Sequence, residues 1–221
     1  MFSDGSRDND LLAEGLIGTD EAGKGDYFGP LVCAACYVDS RNAKRVEAVG
    51  TKDSKKISNK KAHQIASSIK RICPHDVVVI GPKRYNELYQ EFRNLNKLLA
   101  WAHARALENL LGKVDCRRAM TDQFGDVRFV QNALQEKGRQ IELIQVPRAE
   151  SNLAVAAASV LARAEFLRRL DLLSESFGVN LHPGAGPPTD AALLEFVEKH
   201  GREKLPLVAK VHFKNTKKAL S

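Results

Sequence analysis

The stretch Gly18-Thr-Asp-Glu-Ala-Gly23-Lys24 sets two adjacent carboxylates, Asp20 and Glu21, between glycines. It fits all but the last position of the phosphate cradle GxxxxGK[ST], in which backbone N–H groups and a lysine neutralise the phosphates of a nucleotide. The last position is Gly25, so the hydroxyl that would hold magnesium is missing. Two acids inside such a cradle would also repel the phosphates at close range. A dinucleotide fingerprint fares no better, because Gly23-Lys-Gly25-Asp-Tyr-Phe-Gly29 is one residue too long for GxGxxG.

Acids that converge on one point share a cation or are driven to protonate by mutual repulsion. Two further acids stand where convergence is possible: Asp122 closes the strand read from Arg117, and Glu150 follows four residues after the strand that ends at Val146. A single Asp or Glu is most often a solvated surface charge, but that reading weakens for Asp20 and Asp122, each at the end of an apolar strand. Hard carboxylate oxygens suit Mg²⁺ or Mn²⁺. Four of them can hold two ions about 3.5–4 Å apart, the arrangement for in-line displacement at phosphorus. The pair Cys33 and Cys36 has the spacing of a zinc or redox motif, yet LVCAACYV reads as a buried strand that points them to opposite faces.

Those residues need a frame. Leu12 to Gly18 reads as a strand leading into a loop at Asp20, and Leu31 to Val38 as a buried strand. A basic loop, Thr51 to Ser58, precedes a helix to about Ile72, for which Ser58 or Asn59 offers the N-cap. A strand from Asp76 to Gly81, helices from Pro82 to Phe92 and Asn96 to Leu111, and a strand from Arg117 to Asp122 follow. A helix from Val127 to Lys137 and a strand from Ile141 to Val146 come next. A long helix from Asn152 to Phe177 then precedes a Pro/Gly-rich loop and a helix from Ala191 to His200. The alternation predicts an α/β fold whose ligands gather at the carboxyl ends of the strands.

The 221 residues suffice for one large domain, and the net charge of +7 favours a polyanionic partner. No apolar run approaches the roughly 20 residues needed to span a bilayer, and the polar, acidic N-terminus resembles no leader peptide. The expected location is the cytoplasm.

TDEAGKGDYFGPLV, GTKDSKKIS, MTD and VPRAESNLAVAAASVLAR, in that order, resemble the type 2 ribonucleases H. GDYFGP, the stretch YNELYQEFRNLNKLLAWAHARALENLL and the ending VAKVHFKNTKKAL are similar to the ribonuclease HIII branch. The resemblance implies a ribonuclease H-like fold, a central mixed sheet flanked by helices with a helical C-terminal segment. It further implies cleavage of the RNA strand of RNA/DNA hybrids, dependence on Mg²⁺ or Mn²⁺, and products with 3′-hydroxyl and 5′-phosphate ends. Asp20, Glu21, Asp122 and Glu150 become the metal-holding catalytic carboxylates, and Gly23, Lys24 and Gly25 the segment whose backbone meets the RNA beside the cut. Glycines there let the backbone approach a ribose 2′-hydroxyl, the group that separates RNA from DNA. Ser54, Lys55 and Lys56 match a motif that contacts the nucleic-acid backbone.

Asn94 and Asn96 stand at a helix start, where their amides either meet phosphates or cap the helix. Among the histidines, His182, His200 and His212 invite a catalytic role, but no pair has metal-ligand spacing. Residues 1–14 are expected to be disordered or loosely attached and residues 15–221 to form the catalytic domain, acting as a monomer. Only about fifteen residues precede the first motif, too few for the N-terminal domain usual in ribonuclease HIII. No tyrosine follows Tyr89, so the C-terminal tyrosine with which ribonuclease HII reads an RNA–DNA junction has no counterpart. Two rivals remain: a binding module without metal chemistry, which would gain nothing from four acids in a polyanion cleft, and a nucleotide hydrolase, which lacks its hydroxyl.

Overall fold

Apolar runs of strand length separated by amphipathic helices build a mixed five-stranded sheet in the order β3-β2-β1-β4-β5. The computed structural model describes residues 11–51 and 58–218. The strands are β1 (Leu16–Ala22), β2 (Leu31–Val38), β3 (His75–Ile80), β4 (Arg118–Asp122) and β5 (Glu142–Val146). The helices are α1 (Ala43–Ala48), α2 (Asn59–Ile72), α3 (Pro82–Phe92), α4 (Leu95–Leu111), α5 (Arg128–Ala133), α6 (Leu153–Phe177), α7 (Pro187–His200) and α8 (Asn215–Lys218). Strands β1, β4 and β5 run parallel, with Thr19 opposite Thr121 and Thr121 opposite Gln145.

The chain forms two compact units. The first takes the described residues of 11–21, 33–78 and 96–164, including nearly all of the sheet; the second takes 22–32, 79–95 and 165–218. In the first unit, Leu16, Ile17, Cys33 and Cys36 are fully buried, and α6 lies against β1 at Ala154. A Cβ on Gly18 would lie 2.2 Å from the backbone of Ala154 and Val155, so only glycine lets α6 lie this close to the strand. In the second, Phe28 bridges Ala209, and the loop 26–29 is laced to 208–210.

Several boundaries differ from expectation. Residues 11–14 form a helical turn with Leu11 buried, rather than the beginning of a strand or a loose tail. Gly15, at φ +90°, ends that turn, and β1 then runs through Ala22. Asp20 and Glu21 are therefore strand residues, not loop residues. Helix α5 stops at Ala133 instead of Lys137, because the Glu108 carboxylate accepts from the backbone N–H groups of Gln135, at 2.7 Å, and Gly138, at 2.8 Å. Helix α7 begins at Pro187, four residues before Ala191, since the missing N–H of proline costs nothing in a first turn. Ser58 caps α2 as expected, accepting from the Lys61 N–H. Helix α1 was not anticipated.

Candidate active site

The register of the parallel strands brings the first and third acids together. Thr19 and Thr121 face each other across β1 and β4, and Asp20 and Asp122 are the next residues along. Asp122 Oδ1 in turn accepts from the Ala149 N–H at 3.3 Å. Glu150 follows in a short 3-10 turn, Ala149–Ser151. That turn is entered through Arg148 at φ +58°, a left-handed conformation that a side chain tolerates poorly. Asp20, Glu21, Asp122 and the turn that carries Glu150 thus lie at the carboxyl edge of the sheet. Such a ribbon, extended along β1, also cannot wrap a phosphate, which removes the cradle reading.

Alternation along β1 separates the two adjacent acids. Glu21 shares a face with Thr19, and both reach the imidazole of His103 on α4: Thr19 Oγ1 lies 2.9 Å from Nδ1, and Glu21 Oε2 lies 3.0 Å from Nε2. Thr121 Oγ1 also approaches Nδ1, at 3.3 Å. Asp20 points the other way, toward Ser159 of α6, and its Oδ1 accepts from the Glu21 N–H at 2.9 Å. Burial, and then the Glu21 charge, push the Asp20 carboxyl up to about 6 from an ordinary 3.8. A cation beside these carboxylates would relieve that cost, so the donor set fits a divalent ion. Among the described residues no three His, Cys, Asp or Glu side chains are gathered at metal-coordinating spacing. Hard carboxylate oxygens of this kind suit Mg²⁺ and Mn²⁺, which bind through one or two carboxylates and keep several waters. Asp20, Glu21, Asp122 and Glu150 are the residues that could hold it.

Burial opposes the imidazolium of His103, while the neighbouring Cys33 and the Glu21 carboxylate favour it, and the net push is upward. Cys33 and Cys36 are buried free thiols of the core.

The glycine segment directly follows β1 and belongs to the second unit. Gly23 has φ +91°, and a Cβ there would meet the Pro30 carbonyl oxygen at 2.1 Å. Gly25 has open space around it. Further along this loop, the fully buried Lys210 donates through Nζ to the carbonyls of Asp26 and Gly29, each at 2.8 Å, and of Phe28 at 3.5 Å. Burial pushes its ammonium down to about 7, against the pull of Asp26.

Of the remaining candidates, Asn94 precedes α4, while Asn96 stands inside its first turn, not at the cap. The Asn96 amide lies against Gly125, three residues beyond Asp122. Ser54, Lys55 and Lys56 lie outside the described residues. His200 is structural: Nε2 meets the Phe177 carbonyl at 2.6 Å. His212 stacks on Tyr89 with ring centroids 4.0 Å apart. His103 was passed over in the sequence, where it sits among alanines on an apolar helix; its one signal is that a polar ring stands where the pattern asks for a small apolar residue.

A model of the ribonuclease HII family matches residues 17–216. The chain belongs to that family. Curated relatives named ribonuclease HIII include one from Protochlamydia amoebophila, 45% identical over 198 residues, covering 90% of this chain and 66% of the relative. Another, from Bacillus mycoides, is 38% identical over 210 residues, covering 92% of this chain and 67% of the relative. The chain thus spans about two thirds of the length of these relatives. A crystal structure of Bst-RNase HIII in complex with Mn²⁺ superposes with a TM-score of 0.89 at 36% identity, covering 96% of this chain and 71% of that one. The ribonuclease H2 from Pyrococcus horikoshii gives 0.76 at 25% identity, covering 93% and 96%. The five-stranded sheet with its flanking helices is a ribonuclease H-type fold.

Proposed function

We propose that the chain is a hydrolase that cuts the RNA strand of RNA/DNA hybrids internally, by two-metal-ion hydrolysis, leaving 3′-hydroxyl and 5′-phosphate ends. One observation carries the reading: parallel pairing of β1 with β4 sets Asp20 beside Asp122, and Asp122 is tied through Ala149 to the turn bearing Glu150. The ribonuclease HIII relatives support the choice of reaction, and the Mn²⁺ in Bst-RNase HIII supports the choice of cofactor. Asp20, Glu21, Asp122 and Glu150 would hold Mg²⁺ or Mn²⁺, which when bound supplies an activated water and neutralises charge at the scissile phosphate.

The rest falls to the chain itself. The backbone of Gly23 to Gly25 meets the ribose 2′-hydroxyl beside the cut, and the positive φ of Gly23 sets the turn that presents it. Lys24, Asn94, Asn96 and the loop of Ser54, Lys55 and Lys56 hold the phosphate backbone. A site built to bind a 2′-hydroxyl rejects DNA because its polar groups would then go unpaired. The protein acts as a monomer.

Three labelled substrates, each with EDTA, Mg²⁺ or Mn²⁺, test this: an RNA/DNA hybrid, an RNA duplex and a DNA duplex with one embedded ribonucleotide. Metal-dependent cutting of the hybrid is expected, with a run of ribonucleotides cut far better than one alone. Cutting in EDTA, or equal cutting of the RNA duplex, would overturn the assignment.

A further inference from the structure

The imidazole of His103 is 1% exposed and uses both ring nitrogens at the acidic edge of the sheet. A carboxylate can only accept, so Nε2 carries the hydrogen shared with Glu21 Oε2 whether the ring is neutral or charged. Nδ1 is held between the hydroxyls of Thr19 on β1 and Thr121 on β4, which can donate to it or accept from it. The ring face lies against Phe124, two residues beyond Asp122, with centroids 5.0 Å apart. One buried side chain therefore touches both strands that carry the paired aspartates, as well as the glutamate between them.

We infer that His103 is the positioning residue of the site: it fixes the Glu21 side chain through one carboxylate oxygen, and it pins β1 to β4 where Asp20 and Asp122 emerge. The inference rests on reading Glu21 as a metal-holding carboxylate. A free glutamate samples many rotamers, and ordering it on binding an ion costs affinity that a pre-set side chain does not lose. Hydrogen-bond partners of ligating groups commonly contribute 10–100-fold in metal affinity.

Two substitutions separate positioning from mere packing. In His103→Gln the amide can still reach Glu21; in His103→Asn it keeps the threonines but is too short for the carboxylate. The readout is Mn²⁺ affinity of the protein without nucleic acid, from the EPR signal of free Mn²⁺. His103→Asn should weaken binding by about 10-fold or more, and His103→Gln should stay within about threefold of the parent. In a Glu21→Gln background, His103→Asn should cost nothing further, because its effect runs through that carboxylate. Parental affinity in His103→Asn, equal losses in both variants, or a full further loss in the Glu21→Gln background would overturn the inference. Should His103→Asn not fold, His103→Gln in the two backgrounds still decides: a large loss that persists without the Glu21 carboxylate refutes positioning. A parent protein whose Mn²⁺ binding ignores Glu21→Gln would instead overturn the reading of the site, and this inference with it.

Discussion

Replacing Asp20 by asparagine should make the metal-free protein more stable while removing its activity. The carboxyl is pushed from 3.8 to about 6 by burial and by the Glu21 charge. That rise corresponds to about 3 kcal/mol of penalty on the ionised form. Partial access of water at the strand end reduces it to about 2 kcal/mol. Asparagine keeps the shape and can still accept from the Glu21 N–H, but has no charge to penalise. The sign follows from proton counts: with a folded value above the unfolded one, the native state binds more protons between about pH 4 and 6, so stability falls as pH rises through that window. Thermal melts in EDTA at about pH 7.5 should therefore show Asp20→Asn about 1–2 kcal/mol more stable than the parent, a gain of about 2–6 °C. At about pH 4, where the parent carboxyl is itself protonated, the gap should close. Adding Mn²⁺ should raise the melting temperature of the parent and leave that of the variant nearly unmoved. A variant less stable than the parent at the higher pH, or a gap that does not change with pH, would refute the reasoning.

The two glycines proposed to meet the ribose should respond differently. Gly25→Ala, with open space around it, should fold normally and lose only hybrid cleavage, whereas Gly23→Ala should also lower the urea midpoint, because its Cβ meets the Pro30 carbonyl at positive φ; equal midpoints for the two would contradict this. Lys210→Met strips donors from the Asp26 and Gly29 carbonyls, at about 1–3 kcal/mol each. It should lower stability in urea and raise KM on a hybrid more than it lowers kcat; unchanged values of both would show that the Lys210 hydrogen bonds do not hold the 26–29 loop in place. Lys55→Ala with Lys56→Ala should make the log–log salt slope of hybrid affinity shallower by about one to two units, and an unchanged slope would return the loop to a solvated charge run.

Strand and helix identities were legible because the apolar periods are strong, as in α4, where Leu98, Leu99, Ala102, Ala106 and Leu110 are all buried. The acids at the sheet edge could be found from chain position alone, since both Asp20 and Asp122 stand where a strand-length segment ends. What sequence did not carry is direction. Read as loop residues, Asp20 and Glu21 had no fixed direction; their place inside β1 is what turns them to opposite faces of the strand. The roles of His103 and Lys210 depend on contacts across 82 or more residues, with Glu21 in one case and with the 26–29 loop in the other. Helix ends failed where a distant group competes for the backbone, as Glu108 does beyond α5.

Asp122→Asn tests most directly whether the carboxylates at the sheet edge hold ions rather than hold the fold together. Binding and single-turnover cleavage of one labelled RNA/DNA hybrid should be measured side by side, with Mg²⁺ present in the second. The variant should bind the hybrid at least as tightly as the parent, having lost a negative charge from the site, and should cut it barely at all. Substantial metal-dependent cleavage by Asp122→Asn, with binding intact, would contradict the central claim.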